Sequence, residues 1–301
     1  MSYPSKVRIF EVGARDGLQN EKQLVPCDIK VELIERLVDA GVTAVETGSY
    51  VSPKWVPQMA DTVDVMAKLT RRSGVTYAVL TPNMKGYEGA VASKADEIEI
   101  FSAASEMFNQ KNINCSIAES LERFIPVTDA AKKDGIPYRA SVSCALGSPF
   151  AEEITPAAVA DVSKKLYDMG AYEISIADTI GVGTPIRTKQ VIEAVADVIP
   201  IEVIGVHFHD TYGQALANYH AALEMGITRL DSSVAGLGGC PYAPGATGNV
   251  ATEDVVYMLD GMGIESGIDL KELVRTAWFI SDHLGRIPVS NVARALKNKL
   301  N

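Results

Sequence analysis

The sequence of 301 residues carries 28 Lys and Arg against 38 Asp and Glu, a formal net charge of -10, and 47% of its residues are hydrophobic. A chain of this size buries a large core, and its acidic balance excludes the basic field that nucleic acid or an anionic membrane would need. Four widely spaced cysteines form no C-x-x-C pair, and no apolar signal segment or membrane-length run is found. These features predict a cytoplasmic protein.

Short apolar segments alternate with longer segments of helical period along most of the chain. The predicted strands cover residues 7–12, 44–47, 76–80, 97–101, 138–144, 173–177, 203–208 and 229–234. Eight β/α units in roughly 250 residues are typical of a TIM (β/α)8 barrel, whereas a doubly wound sheet normally has fewer strands.

Helix boundary signals separate these strands. Asp28 is predicted to cap the first helix and Gly41 to end it, and Thr155-Pro156 to open a later helix that Gly170 closes. A helix-to-strand turn with a glycine recurs at Gly41, Gly135, Gly170 and Gly226. This recurrence is a weak internal repeat of the kind that successive β/α units produce.

Residues 264–301 follow the eighth unit, and their apolar residues have helical period over 270–284. No linker composition precedes them. We expect a helical appendage on the barrel, so that residues 1–301 form a single TIM-barrel catalytic domain.

Polar residues accumulate at the C-terminal ends of the predicted strands, where TIM barrels carry their functional groups. They are Arg15, Asp16, Glu46, Asp178, His207 and His209. Residues two apart in a strand point to the same side, so both imidazoles of His207 and His209 can meet one ion. An isolated His-x-His pair is equally consistent with hydrogen-bonded histidines that bind no metal.

Oxygen ligands for such an ion are available nearby in the predicted barrel. Asp16 offers a carboxylate and Asn249 a neutral carbonyl oxygen. Two nitrogens and two oxygens completed by water suit Mg²⁺ or Mn²⁺, although imidazole also accepts Zn²⁺ or Co²⁺.

Arg15 adjoins the candidate ligand Asp16, and a guanidinium beside a metal is well placed to hold an oxygen that becomes anionic. The alternative is a structural ion pair with Glu46. The two interpretations are compatible, because a carboxylate can orient an arginine that also serves catalysis.

Residues 236–249 contain five glycines, two prolines and one thiol, Cys240, a composition that suits neither helix nor strand. We expect a mobile loop that closes over the barrel mouth and brings Cys240 to the reacting carbon. The alternative is a turn with an incidental cysteine. Cys27, Cys115 and Cys144 have the character of ordinary, mostly buried cysteines.

Five segments in order resemble the signatures of the 3-hydroxy-3-methylglutaryl-CoA lyase family, and together they span nearly all of the barrel. They are EVGARDGLQNEK at 11–22, ETGSYVSPKWVPQM at 46–59, EISIADTIGVGTP at 173–185, HFHDTYGQALAN at 207–218 and SVAGLGGCPYAPGATGN at 233–249. The segment at 284–288 departs from the family pattern, in which polar residues contact CoA.

The resemblance implies a divalent-metal-dependent retro-Claisen cleavage of 3-hydroxy-3-methylglutaryl-CoA, an acyl-CoA substrate, into acetyl-CoA and acetoacetate. It assigns the metal ligands to Asp16, His207, His209 and Asn249. Mg²⁺ or Mn²⁺ is the expected cofactor, and a homodimer is the expected assembly.

The same resemblance implies catalytic roles for the neighbouring residues. Arg15 polarises the thioester carbonyl of the bound substrate, and Cys240 provides the catalytic thiol. Glu46 and Asp178 correspond to acidic residues linked to activity, and His207 or Asp178 shuttles protons.

Two alternative enzymes share part of this pattern. A Claisen-condensing isopropylmalate or homocitrate synthase resembles the Arg-Asp start and the His-x-His pair, but the Cys240 loop and the length of 301 residues favour the lyase. A lyase for a longer-branched 3-hydroxyglutaryl-CoA stays open. A barrel kept only as a binding scaffold is the remaining alternative, and absence of metal binding would favour it.

Overall fold

The structure is a computed structural model that describes residues 3–239 and 248–299. Eight parallel strands pair in sequence order, and the eighth pairs with the first to close a barrel. The strands are β1 Arg8–Glu11, β2 Ala44–Ser49, β3 Thr76–Leu80, β4 Glu97–Ala103, β5 Tyr138–Ser143, β6 Glu173–Asp178, β7 Ile204–Phe208 and β8 Arg229–Ser232. The predicted TIM barrel is confirmed, with each strand at its predicted place and its ends shifted by no more than two residues.

The helices of the described residues surround this barrel. They are α1 Cys27–Asp39, α2 Thr62–Lys68, α3 Met84–Ala92, α4 Glu106–Ile113, α5 Ile117–Asp134, α6 Pro156–Asp168, α7 Pro185–Ala196, α8 Ala215–Glu224, α9 Thr252–Met262, α10 Leu270–His283 and α11 Asn291–Leu296. A single π-helical turn, Gly13–Gly17, follows β1. No helix within the described ranges has both the length and the apolar character needed to cross a membrane.

Successive side chains of each strand point to opposite faces of the sheet, so apolar and polar residues are separated. Residues such as Ile98, Ile174 and Val206 are fully buried in the main apolar core between the sheet and the helices. Their neighbours along the same strands point into the barrel, where Arg139 of β5 pairs across the lumen with Asp231 of β8 at 2.8 Å. The barrel interior is therefore charged over part of its height.

Most of the predicted helix boundaries are confirmed. The four repeated glycines have φ of +103° at Gly41, +71° at Gly135, +105° at Gly170 and +92° at Gly226. This left-handed backbone is disfavoured for residues with a Cβ, which explains why glycine recurs where each helix stops. Thr155 caps α6 by accepting a hydrogen bond from the Ala158 amide at 3.2 Å.

The predicted cap at Asp28 is wrong. Helix α1 begins two residues earlier than this cap predicts, at Cys27, with Pro26 in the N-cap position. The Asp28 carboxylate instead lies in the first turn and forms a 2.7 Å ion pair with Lys68 of α2. A carboxylate in the first helical turn is still favourable, because the peptide dipoles give that end a partial positive charge.

The segment after the eighth unit is helical, as its periodicity predicts. Helix α10 packs against α1 and α9, and α11 packs against α9 and α10. Asp254 of α9 accepts 2.8 Å hydrogen bonds from the Ser290 hydroxyl and the Val292 amide, which hold the start of α11.

Candidate metal centre and active site

The C-terminal end of the barrel brings three of the predicted ligands together. One ligand atom each from Asp16, His207 and His209 lies within 4.8 Å of the others. Asp16 comes from the π-helical turn after β1, His207 from β7, and His209 from the residue just beyond that strand. The imidazole rings of the two histidines are 5.2 Å apart between centroids, so both face one point, as the strand period predicts.

Glycines and a buried carboxylate shape the turn that presents Asp16. A Cβ on Gly13 would lie 2.6 Å from Glu11 Oε1, and a Cβ on Gly17 would lie 2.8 Å from the Leu237 Cβ. Glu11 accepts 2.8 Å hydrogen bonds from the backbone amides of Gly13 and Val234. Burial raises the pKa of Glu11 to about 7. The turn is thus fastened to the segment that follows β8.

Asn249 joins the cluster through the backbone as well as its side chain. It forms an isolated antiparallel bridge with His209. Its Nδ2 donates to Asp16 Oδ2 at 2.8 Å and to the Leu237 carbonyl at 3.2 Å. Since these bonds use the amide protons, the carbonyl oxygen is the atom of Asn249 suited to bind a metal.

The protonation states of the cluster fit a divalent cation. Burial acts to raise the pKa of Asp16, but Arg15 and the two histidines outweigh it and lower this pKa to about 2. Burial lowers the pKa of His209 to about 4, which keeps the ring neutral. Its Nδ1 is buried without a hydrogen-bond partner among the described residues. Burial acts to lower the pKa of His207, but Asp231 and Asp16 outweigh it and raise this pKa, so a bound cation would compete with a proton for His207. An ionised carboxylate, two imidazoles and an amide oxygen form a competent donor set.

Arg15 contacts both carboxylates that the sequence places near it. Its Nε lies 2.6 Å from Glu46 Oε2, and its Nη1 lies 2.9 Å from Asp16 Oδ1. Burial is the largest influence on the pKa of Glu46 and raises it well above the usual range. Arg15 opposes this effect of burial, and the 2.6 Å contact with Glu46 holds the guanidinium beside the metal cluster.

Asp178 ends β6 and touches the same cluster. Its carboxylate accepts hydrogen bonds from the amides of Val182 at 3.1 Å and Gly183 at 2.8 Å, and its backbone carbonyl accepts one from the His209 amide at 3.3 Å. Burial raises the pKa of Asp178 to about 6. Such a carboxyl group can exchange a proton near neutral pH.

Cys240 lies outside the described residues, together with residues 241–247, so its role stays a prediction. The residues that flank this stretch are at the barrel mouth. The Gly239 carbonyl accepts a 3.1 Å hydrogen bond from Asn20 Nδ2, and the Gly248 carbonyl accepts one from the Asp210 amide at 2.9 Å. Among the other cysteines, Cys115 and Cys144 are buried and Cys27 is half-buried.

Sequence reasoning missed the charged residues beneath the cluster. Asp231 Oδ2 lies 3.4 Å from His207 Nδ1, and Ser175 Oγ and Arg139 Nη2 donate to the same carboxylate at 3.0 and 2.8 Å. Each of these residues has another polar residue two positions away along its strand, as Asp231 has Arg229. That alternation inside predicted barrel strands was the signal that could have found them.

Sequence and structure comparisons place this geometry among known proteins. The HMGL-like family model matches residues 6–280. A relative named hydroxymethylglutaryl-CoA lyase, mitochondrial, from Gallus gallus is 55% identical over 294 residues, which cover 98% of this chain and 99% of that protein.

Two solved structures share the whole fold. The crystal structure of hydroxymethylglutaryl-CoA lyase from Pseudomonas aeruginosa has a TM-score of 0.97 and 54% identity, and the match covers 99% of this chain and all of that one (100%). An HMG-CoA lyase from Acinetobacter baumannii, in complex with coenzyme A and 3-methylmalate, has a TM-score of 0.93 and 35% identity, with coverage of 98% and 96%.

Proposed function

The chain belongs to the HMGL-like family, and on that premise we propose that it cleaves 3-hydroxy-3-methylglutaryl-CoA into acetyl-CoA and acetoacetate. It is a carbon–carbon lyase, like its relative from Gallus gallus. The observation that carries this function is the convergence of Asp16, His207 and His209 within 4.8 Å, with Arg15 2.9 Å from Asp16. A chelating site beside a fixed guanidinium suits a substrate with a hydroxyl group near a thioester.

The nature of the substrate is supported by the relative from Acinetobacter baumannii, which binds coenzyme A and 3-methylmalate. The latter is a hydroxy dicarboxylate, and the acyl part of 3-hydroxy-3-methylglutaryl-CoA likewise carries a hydroxyl and a carboxylate that can chelate one ion. Relatives at 54% and 55% identity are lyases by name, so the Claisen-condensing alternative has less support.

The cofactor that we propose is Mg²⁺ or Mn²⁺, held by Asp16, His207, His209 and Asn249. When bound, the ion supplies Lewis acidity that makes a chelated tertiary hydroxyl group more acidic. The preference for these two ions rests on the two oxygen donors and on the space that octahedral ions leave for substrate and water.

Different residues of the chain transfer the protons and stabilise the negative charge. Asp178, whose pKa of about 6 lies near neutrality, accepts the hydroxyl proton as the general base. As the C2–C3 bond of the substrate breaks, negative charge moves to the thioester oxygen, where Arg15 stabilises the enolate. Glu46 holds the guanidinium in place for this task. Cys240 delivers a proton to the acetyl-CoA carbon, and the proton that the general base accepted returns to the thiolate, which restores both groups.

We also propose a domain organisation, a compartment and an oligomeric state. Residues 1–301 are one catalytic domain, and the protein is a cytosolic homodimer. Cys27 and Cys115 are free thiols, which suits a reducing compartment, although the relative from Gallus gallus is named mitochondrial. Light scattering coupled to size-exclusion chromatography would measure the mass, and twice the chain mass is expected.

A coupled assay tests the proposed reaction. Purified protein is incubated with 3-hydroxy-3-methylglutaryl-CoA, and acetyl-CoA and acetoacetate are each quantified, with and without a chelator. We expect the two products in equal amounts, loss of turnover with chelator and recovery with Mg²⁺ or Mn²⁺. Full turnover in metal-free protein would overturn the metal dependence, and faster turnover of a longer-branched thioester would change the substrate.

A further inference from the structure

Beneath the candidate metal centre, a carboxylate is held from several sides inside the barrel. Asp231 of β8 is almost fully buried, and both of its oxygens lie 2.8 Å from Arg139 Nη2. Ser175 Oγ donates to Asp231 Oδ2 at 3.0 Å, and the Tyr219 hydroxyl donates to the Asp231 backbone carbonyl. These contacts leave the carboxylate little freedom to rotate.

Asp231 is also the strand partner of a candidate metal ligand. His207 and Asp231 are paired in the register of β7 and β8, and Asp231 Oδ2 lies 3.4 Å from His207 Nδ1. An imidazole whose Nδ1–H faces a carboxylate presents the lone pair of Nε2 on the other side of the ring. A carboxylate in this place fixes both the tautomer and the ring orientation of a metal-binding histidine.

A purely structural ion pair between Asp231 and Arg139 would not account for the contact of Asp231 with His207. The Arg139 guanidinium has two further carboxylates, Glu173 at 2.9 Å and Glu99 at 3.6 Å, and it stacks over the Phe10 ring at 4.0 Å. Arg139 is therefore neutralised without Asp231. Within the described residues, Asp231 is the only carboxylate of this group within ion-pairing distance of His207.

We propose that Asp231 is a positioning residue, which Arg139 and Ser175 hold in place and which orients His207 so that Nε2 faces the metal centre. This inference rests on the proposed metal centre. It predicts that Asp231 sets the affinity for the cation without touching the cation or the substrate.

The decisive variant is Asp231→Asn, with Glu173→Gln as the matched control. Both remove one carboxylate from the same guanidinium, but Glu173, the first residue of β6, pairs with Arg229 at 2.8 Å and forms no ion pair with His207 among the described residues. In Asp231→Asn, Arg139 keeps Glu173 at 2.9 Å, so we expect the fold to persist.

The readout is Mn²⁺ binding to metal-free protein by electron paramagnetic resonance, together with histidine ¹⁵N chemical shifts. Asp231→Asn is expected to raise the Kd for Mn²⁺ by roughly 10–100-fold and to shift the ¹⁵N signals of His207 toward a mixture of tautomers. Glu173→Gln is expected to lower the melting temperature while its Kd stays that of the wild type.

Other outcomes separate this inference from the proposed function. An unchanged Kd in Asp231→Asn, with a melting temperature lowered as in Glu173→Gln, overturns the positioning role and leaves the metal centre intact. Absence of Mn²⁺ binding in the wild type overturns both. If Asp231→Asn does not fold, Ser175→Ala, which removes one hydrogen bond and no charge, is expected to weaken Mn²⁺ binding by a smaller factor, and an unchanged Kd there overturns the inference.

Discussion

The two ends of the barrel use similar residue types for different purposes. At the C-terminal end, Asp16, His207 and His209 converge on one point, and His209 Nδ1 has no hydrogen-bond partner among the described residues. At the N-terminal end, charges face opposite charges. Arg229 pairs with Glu173 at 2.8 Å, and Arg8 lies 3.9 Å from the same carboxylate.

The two ends differ in the partners of their polar side chains. The Tyr172 hydroxyl at the N-terminal end donates to Glu97 at 2.7 Å and accepts from Arg8 at 3.1 Å, so it is paired both as donor and as acceptor. The two histidines at the C-terminal end lie side by side although they cannot form an ion pair with each other. Paired buried charges compensate each other within the protein, whereas convergent lone pairs bind a cation. Substitutions at the two ends of the barrel test this difference.

The largest effect is expected from His209→Ala, which removes one of the convergent ligands. Turnover should fall by roughly 1000-fold, because Lewis-acid stabilisation contributes several kcal/mol to the transition state. Mn²⁺ binding should be lost in the same variant. Arg229→Gln, at the opposite end, is the control and should keep both properties. Equal losses in the two variants would show that the ends do not differ in function.

Arg15→Lys keeps the positive charge but loses the planar fork that contacts Glu46 and Asp16. We expect kcat to fall by at least ~100-fold, because the enolate oxygen loses its oriented donor, while KM changes much less. Steady-state kinetics and thermal unfolding of the same samples measure the two effects. A lower melting temperature with intact kcat would assign Arg15 to a structural ion pair.

Cys240→Ser replaces a thiol of pKa about 8.5 by a hydroxyl that is too weak an acid to deliver protons near neutral pH. Turnover should fall by roughly 100-fold, a typical contribution of general acid catalysis, without loss of folding. Serine at Cys27, Cys115 or Cys144 is the control and should leave turnover largely intact. Near-normal kcat in Cys240→Ser would move the proton transfer to His207 or Asp178.

The smallest effect on activity is expected from Glu97→Gln at the N-terminal end. Burial is the largest influence on the pKa of Glu97 and raises it to about 7 from 4.5. The folded state therefore holds this proton more tightly than the unfolded state. The contribution of Glu97 favours folding below about pH 4.5 and is lost as the pH rises through 7, by roughly 3 kcal/mol in total.

Denaturant unfolding of wild type and Glu97→Gln at several pH values measures this contribution as their difference. The difference should change between pH 4.5 and 7, and kcat should be the same in both proteins. A loss of turnover in Glu97→Gln would mean that the N-terminal end also takes part in catalysis.

Local patterns in the sequence predict most of the fold. The eight strands follow from short apolar segments, and four helix ends follow from glycines that adopt positive φ. The failure at Asp28 is not local, since its carboxylate pairs with Lys68 of another helix, a contact that the sequence around it does not reveal.

The site was predictable where a short motif fixes direction, as in His207 and His209, and where the strand ends of a barrel must meet. Asp231 was not found, because its contact with Arg139 crosses the barrel lumen and its contact with His207 joins two neighbouring strands. These partners lie 92 and 24 positions away in the chain. Long-range pairs of this kind depend on the register of the strands, which no single segment encodes.

The most direct measurement is a crystal structure of the protein grown with Mn²⁺, with an anomalous difference map collected at the manganese edge. The convergent geometry of the C-terminal end predicts one strong peak about 2.0–2.3 Å from atoms of Asp16, His207, His209 and Asn249, with none at the paired charges of the N-terminal end. A map without a peak between these four residues at saturating Mn²⁺, or with the peak elsewhere, would contradict the metal-dependent function.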